Sequence, residues 1–262
     1  MSDKPLLSVI GLGVKIPDHT TAEAMRAMAL CDRIFAVVQE PPSVWLPPSA
    51  AGKIPVINIL GLYVEGTLRT QNYDRAAETI FQSVRDGQTI GYVTYGNPLA
   101  YDSVAQNLVR RAQQAGTRFQ VVPGISSVDT LLCDLGTDMA PGLQVYEASW
   151  LVAAQIRLHP TVAAILLQVG MFGTLRTHYR TRPEARSLAE LAEYLGRSYP
   201  ASHNVFLVRS AGAGGDRPHI KKSPLANICD VTSEDLLNCS MYIPSLEPTS
   251  LDERFLAAMQ EA

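Results

Sequence analysis

No CxxC pair joins any of the four cysteines, Cys31, Cys133, Cys229 and Cys239, which lie scattered through 262 residues. That spacing gives neither a zinc ribbon nor a disulfide framework; it fits reduced, mostly buried thiols in a cytoplasmic protein. His19, His159, His178, His203 and His219 form no HxH or HExxH, so no metal-ligand set is expected. Ser126, Ser127 and Ser149 lack a GxSxG elbow, which counts against a serine hydrolase. Neither a signal-peptide h-region nor a run of about eighteen apolar residues is present, so no membrane span is expected and the chain reads as cytoplasmic. Charge of neither sign dominates: 22 Lys plus Arg stand against 25 Asp plus Glu, a net −3. Such a balance offers no field for nucleic acid or an anionic membrane.

What is present is a chain that is 47% apolar and 18% charged, enough to bury a sizeable core. Its length suits two domains of about 120–130 residues. Apolar runs at 6–10, 33–38, 56–60, 88–94 and 119–122 read as strands, and helical spacing at 20–31, 73–85 and 103–115 falls between them. Alternation of this kind predicts a parallel α/β sheet covered on both faces. A helix over 126–135, strands at 143–146, 163–169, 205–208 and 241–243, and a helix over 187–194 predict a second α/β domain with a mixed sheet. Residues 211–219 read as a loop. The expected division is 1–124, 125–246 and a tail of 247–262, with a terminal helix over 249–261 capped at Ser250 and Glu253.

Gly11-Leu12-Gly13 follows the first strand and reads either as a strand-to-helix turn or as a ligand-contacting loop; a GxGxxG would need glycine where Ile16 stands. Turns at Tyr95-Gly96-Asn97-Pro98, Pro123-Gly124-Ile125-Ser126, Glu147-Ala148-Ser149 and Gln168-Val169-Gly170 also fall at strand ends, where open α/β sheets bind ligands. Just before the helix expected at 73–85, Tyr63, Arg69 and Tyr73 place two phenols and a guanidinium within eleven residues. A guanidinium favours phenolate on a neighbouring tyrosine, so the cluster can supply a general base. With ten tyrosines in the chain, surface Tyr–Arg stacking is the alternative. The stretch containing Arg176, Arg180 and Arg182 reads as a solvated face rather than a phosphate clamp.

Taken together, GLG, YGNP, VVPGISS and QVG in this order resemble the tetrapyrrole methylase-fold, S-adenosylmethionine-dependent methyltransferases. Within that fold the chain is most similar to the borosin peptide backbone N-methyltransferases. Their tyrosine, arginine six residues on and tyrosine four beyond are here Tyr63, Arg69 and Tyr73. Their YGHPG, PGxSAED, ADLGID, YEAS, QVG and YIPP are met by YGNPL, PGISSVD, CDLGTD, YEAS, QVG and YIPS, so that Asn97 replaces the usual histidine and Leu99 the usual glycine. The resemblance spans residues 5–245 and implies a two-domain α/β architecture of the class III methyltransferase kind.

It also implies S-adenosyl-L-methionine in a cleft between the domains, beside Tyr95, Asn97, Ala100, Tyr101, Ser126, Ser127, Ala148, Ser149, Val169 and Gly170. Catalytic roles fall on Tyr63, Arg69, Tyr73 and Tyr95: Tyr73 or Tyr63 as base, Arg69 lowering its pKa or holding an oxyanion, Tyr95 orienting the amide. No metal is needed, because the sulfonium is already activated. Fused borosins carry their substrate beyond the methyltransferase; about seventeen residues follow Ser245 here, which implies the split type, acting on a separate precursor peptide. The family's dimers imply a homodimer. Two other readings remain: C-methylation of a tetrapyrrole such as a corrin precursor, and a silent S-adenosylmethionine- or peptide-binding scaffold, to which Asn97 and Leu99 lend support.

Overall fold

The computed structural model describes residues 5–85, 88–177, 185–212, 216–246 and 250–260. The chain divides into two compact units, Met1–Leu135 with Thr174–Thr181 and Ser210–Pro218, and Gly136–Gly173 with Arg182–Arg209 and His219–Ala262. The two sheets fall on either side of Gly124, yet residues 125–135, 174–181 and 210–218 join the first unit, so the division takes more than one cut.

In the first unit the strands are β1 (Leu7–Gly11), β2 (Arg33–Ala36), β3 (Val56–Asn58), β4 (Ile90–Thr94) and β5 (Phe119–Val122). They pair in the order β3-β2-β4-β1-β5, every pair parallel. β1 and β4 are buried at every position, which is why they read as continuous apolar runs rather than alternating ones. Alternate residues of β4 still serve two cores. Ile90 and Tyr92 join Ala76, Ala77, Ile80 and Phe81 of α3 (Arg69–Arg85) and Leu108 of α4 (Ser103–Gln114) on one face. Val93 joins Ala24, Ala27 and Met28 of α1 (Ala22–Ala29) on the other, together with Trp45 of α2 (Pro42–Trp45). The expected parallel sheet, covered on both faces, is what forms. α5 (Ser127–Leu135) completes the unit.

At the carboxyl ends of β1, β4 and β5 the backbones touch. A Cβ on Gly11 would lie 2.3 Å from the Gly96 carbonyl oxygen, and one on Gly124 would lie 2.2 Å from that oxygen and 2.6 Å from the Gly13 nitrogen. Gly13 and Gly96 also bridge each other. Of the two readings of Gly11–Gly13, this packing accounts for the glycines as structural ones.

The second unit has β6 (Leu143–Glu147), α6 (Ala148–Ala153), β7 (Ala163–Leu167), α7 (Ala189–Leu195), β8 (Asn204–Arg209), β9 (His219–Pro224), α8 (Ser233–Leu236), β10 (Ser240–Ile243) and α9 (Glu253–Gln260). Its sheet order is β6-β7-β10-β8-β9, with β6–β7 parallel and the rest antiparallel, the mixed sheet expected. β9 is a correction. His219 was expected to close a loop, but residues 219–224 form an edge strand whose Lys221, Lys222 and Pro224 are exposed, so no apolar alternation announces it. Residues 168–169, expected in β7, turn away through a left-handed Gln168 (φ 58°) into a short 3-10 helix. α9 starts later than expected: Asp252, not Ser250, accepts the first amides, from Arg254 and Phe255. Among the described residues no helix is long and apolar enough to cross a membrane, and Cys133 is exposed whereas Cys31 and Cys239 are buried.

Candidate active site

α3 begins at Arg69, four residues ahead of the apolar repeat that announced it, because its first turn (Arg-Thr-Gln-Asn) carries no apolar residue. The correction matters for chemistry. Residues 69 and 73 now stand at i and i+4 on one helix, where side chains meet. Arg69 lowers the proton affinity of the Tyr73 phenol, and the Tyr73 ring meets Tyr63 edge-on with centroids 5.9 Å apart. All three expected residues are therefore brought together within the first unit.

The early start of α3 is held by tertiary bonds. Asn72 is fully buried; its Oδ1 accepts the Val64 amide at 3.0 Å, and its Nδ2 donates to the Val64 carbonyl at 3.1 Å and to Thr177 Oγ1 at 2.7 Å. Residues 175–177 form a strap over the same loop: Gly66 N–H donates to the Thr177 carbonyl, Thr177 N–H to the Thr67 carbonyl, and Arg69 N–H to the Leu175 carbonyl, each at 2.9 Å. Arg176 donates to the Gly66 carbonyl at 2.6 Å. Arg176 is exposed, as a solvated face would be, and also ties the strap to the loop through that bond; Arg180 and Arg182 lie outside the described residues. Asn72→Ala removes a fully buried side chain with its three hydrogen bonds to Val64 and Thr177 and is expected to cost about 2 kcal/mol, read as a lowered urea midpoint.

The phenols differ in proton affinity. Burial pushes the Tyr73 pKa up, Arg69 pulls it down and Asp102 pushes it up again; the sum is upward, so burial outweighs Arg69. Tyr95 is pushed up to about 12 by burial and by its hydrogen bond to Glu40. Its hydroxyl donates to Glu40 Oε2 at 2.6 Å and accepts the Gln39 amide at 2.8 Å. Tyr95 is thus a fixed phenol whose proton is already shared with a carboxylate, and it lies among the loops after β2 and β4. Glu40, Asn72, Asp102 and Tyr92 were not anticipated. Only the fold brings them in, although the polar TQN between Arg69 and Tyr73 marked the place of Asn72.

The remaining expected residues line turns at strand ends. Asn97 makes its own turn, its Oδ1 accepting the Leu99 amide at 2.9 Å and its carbonyl the Ala100 amide at 2.9 Å. Tyr95, Leu99, Ala100, Tyr101 and Ile125 are exposed there. Ser126 caps α5, trading bonds with Asp129, and Ser127 is the first helical residue. In the second unit Ala148 and Val169 are fully buried in its core and Ser149 Oγ accepts the Gly173 amide, which leaves backbone groups for any ligand at the first two. Gly170 lies in the short helix after Gln168. Glu147 caps α6 through Oε2, while its buried Oε1 has no hydrogen-bond partner among the described residues.

Residues 6–228 match the family of Tetrapyrrole (Corrin/Porphyrin) Methylases. The chain belongs to that family. It is 28% identical over 247 residues to a methyltransferase and ribosomally synthesized type II borosin cyclic peptide precursor of Phlebiopsis gigantea, covering 92% of this chain and 43% of that protein. A type I borosin precursor of Serendipita vermifera is 26% identical over 259 residues, 97% of this chain and 62% of the relative. The chain thus spans about half the length of these relatives. Among solved structures, the methyltransferase CobJ superposes with a TM-score of 0.62 at 14% identity, covering 95% of this chain and 98% of the other. Diphthine synthase does so with 0.57 at 13%, covering 97% and 94%. These likenesses establish the fold.

A methylase domain of this family uses S-adenosyl-L-methionine. Such a molecule joins a flat heteroaromatic base to a charged amino-acid end, and each unit by itself has residues that fit a part of it. The first unit offers exposed Tyr95, Leu99, Tyr101 and Ile125 beside polar backbone at the ends of β4 and β5. The second, by itself, offers a buried carboxylate oxygen, Glu147 Oε1, unpartnered among the described residues and next to Ala148 and Ser149.

Proposed function

We propose that this methylase transfers methyl groups to backbone amide nitrogens of a separate, ribosomally made precursor peptide, in the cytoplasm and as a homodimer. The observation that carries the reading is the joined Tyr63, Arg69 and Tyr73 cluster in a chain whose relatives are named borosin methyltransferases. Bound S-adenosyl-L-methionine supplies an activated methyl group on a positively charged sulfonium. Tyr95, Asn97, Ala100, Tyr101, Ser126 and Ser127 of the first unit, and Ala148, Ser149, Val169 and Gly170 of the second, are the residues we assign to holding it.

An amide nitrogen is a poor nucleophile because its lone pair is delocalised into the carbonyl. The chain's own task is therefore to take the N–H proton and hold the negative charge that moves to the carbonyl oxygen. Tyr73 as phenolate accepts that proton, and Arg69, one helical turn away, faces the oxyanion. Burial raises the proton affinity of Tyr73; its proton leaves to solvent as further positive charge is brought to the site, and the phenolate so formed takes the amide proton. Tyr63 packs on Tyr73 and fixes its ring. Tyr95, held by Glu40 and Gln39, is suited to orienting and not to proton removal.

The deciding experiment incubates the purified protein with S-adenosyl-L-methionine and a short peptide encoded beside its gene, followed by tandem mass spectrometry. Stepwise methyl additions on backbone amides are the expected result. An unmodified peptide despite measured cofactor binding would overturn the reading.

A further inference from the structure

β2 and β4 are neighbours in the parallel sheet, and the chain leaves them toward opposite faces. After β2 it reaches Trp45, in the core shared with Ala24 and Val93; after β4 it reaches α4, whose Leu108 lies in the core shared with Ile90 and Tyr92. Open parallel sheets bind ligands in the crevice between loops that diverge in this way. One set of hydrogen bonds spans it here. Tyr95, just after β4, donates its hydroxyl proton to Glu40 Oε2 at 2.6 Å, and the same hydroxyl oxygen accepts the Gln39 amide at 2.8 Å. A backbone amide can only donate, so Gln39 fixes the hydroxyl as its acceptor and the phenol proton points at Glu40. The loop that carries the carboxylate is firm. Trp45, 1% exposed, donates from Nε1 to the Glu40 carbonyl at 2.9 Å, and two prolines follow, Pro41 and Pro42, each with φ set by its ring.

With its donor spent, Tyr95 can offer an incoming group only a lone pair, and the carboxylate behind it makes that oxygen richer in electrons. Tyr95 is 37% exposed and Glu40 half-buried, so the pair is within reach of a ligand. Among the described residues no ion pair reaches Glu40. A seat of this kind repels carbonyls and carboxylates, and its uncompensated charge favours a cation over a neutral donor. We propose that Glu40 is a positioning residue that, through Tyr95, directs its negative charge at the sulfonium of S-adenosyl-L-methionine and makes the site prefer this methyl donor to the spent product, S-adenosyl-L-homocysteine. Donor and product share the adenosine, the ammonium and the carboxylate, and differ only in the methyl group and the charge on sulfur. Loss of that charge on transfer weakens the hold on the product. The inference rests on the assignment of Tyr95 to holding the cofactor and is independent of which group accepts the methyl.

Calorimetry on the full chain, without peptide, measures both affinities. Glu40→Gln keeps the length of the side chain and an oxygen for the Tyr95 hydroxyl while removing the charge; Glu40→Asp keeps the charge. The expected result in Glu40→Gln is a preference for donor over product that falls by about fivefold or more at low ionic strength, the order of one charge acting at a partly buried site. The fall comes from weaker donor binding, and retained product binding shows that the variant is folded. Glu40→Asp is expected to stay nearer the parent, and Tyr95→Phe, which removes the link, to lose the preference as well. A preference unchanged in Glu40→Gln overturns the inference. So does an equal weakening of donor and product, the mark of a contact to the ribose or base or of a merely structural role, and so does a Glu40→Asp as impaired as Glu40→Gln. If Tyr95→Phe weakens both ligands while Glu40→Gln leaves the preference intact, the assignment of Tyr95 to the cofactor stands and the inference on Glu40 fails. If Tyr95→Phe changes neither affinity, the assignment itself fails and takes the inference with it.

Discussion

Replacing Tyr73 with phenylalanine is expected, on the proposed function, to lower methyl transfer by about 10²–10⁴-fold, the range for loss of a positioned general base, and to leave cofactor affinity near that of the parent. The substitution deletes one oxygen and keeps the ring, so the edge-on contact with Tyr63 and the packing on the core of the first unit survive. What disappears is the proton acceptor that Arg69 addresses. Single-turnover mass spectrometry on the precursor peptide reads the rate, and calorimetry with S-adenosyl-L-methionine reads the affinity. Tyr63→Phe is the companion, since either tyrosine of the pair was a candidate base. Parental rates in Tyr73→Phe together with a collapse in Tyr63→Phe would transfer the role to Tyr63. Arg69→Lys separates charge from geometry. A lysine keeps the positive charge but loses the planar fork, so a rate below the parent's is expected.

Gly124→Ala is expected to destabilise the first unit by about 3 kcal/mol or more, a fall in Tm of roughly 6–12 °C for a chain of this size. The reason is backbone against backbone. The new methyl would lie 2.2 Å from the Gly96 carbonyl oxygen, 2.6 Å from the Gly13 nitrogen and 2.8 Å from the Gly11 carbonyl carbon. None of these is the end of a flexible side chain, so the loops after β1, β4 and β5 must move apart. Those loops carry Tyr95, Asn97 and Ser126, and cofactor affinity is expected to fall with stability. Gly116→Ala is the control: at φ +63°, with open space around it, it meets only the left-handed strain of about 1 kcal/mol. Thermal melts within about 2 °C of the parent for Gly124→Ala would show that the close approach is not required.

The strand-helix alternation of the first half was legible because each strand buried on both faces is a continuous apolar run, and each covering helix repeats every three to four residues. Leu7–Gly11 and Ile90–Thr94 are such runs, and Ala76, Ala77, Ile80 and Phe81 such a repeat. The mixed second sheet was legible as apolar runs in β6, β7, β8 and β10, although β6 has no fully buried residue, and not in β9, whose Lys221 and Lys222 are exposed on an edge. The spacing of Tyr63, Arg69 and Tyr73 stood in the sequence, as did the order of turns that marked the family.

Their arrangement did not. The first turn of α3 has no apolar residue and is fastened by Asn72 and by residues 175–177, about a hundred positions away. Only that fastening puts Arg69 one turn from Tyr73. Glu40 on Tyr95 is likewise a pairing between the loops after β2 and β4, and Asp102 reaches back to Tyr92 from the start of α4. Periodicity and turn chemistry are local, so the sequence alone determined which segments became strands and helices and which residue types were available for chemistry. The proton affinity of a phenol depends on what surrounds it and on charges from other elements, and those only the tertiary structure decided.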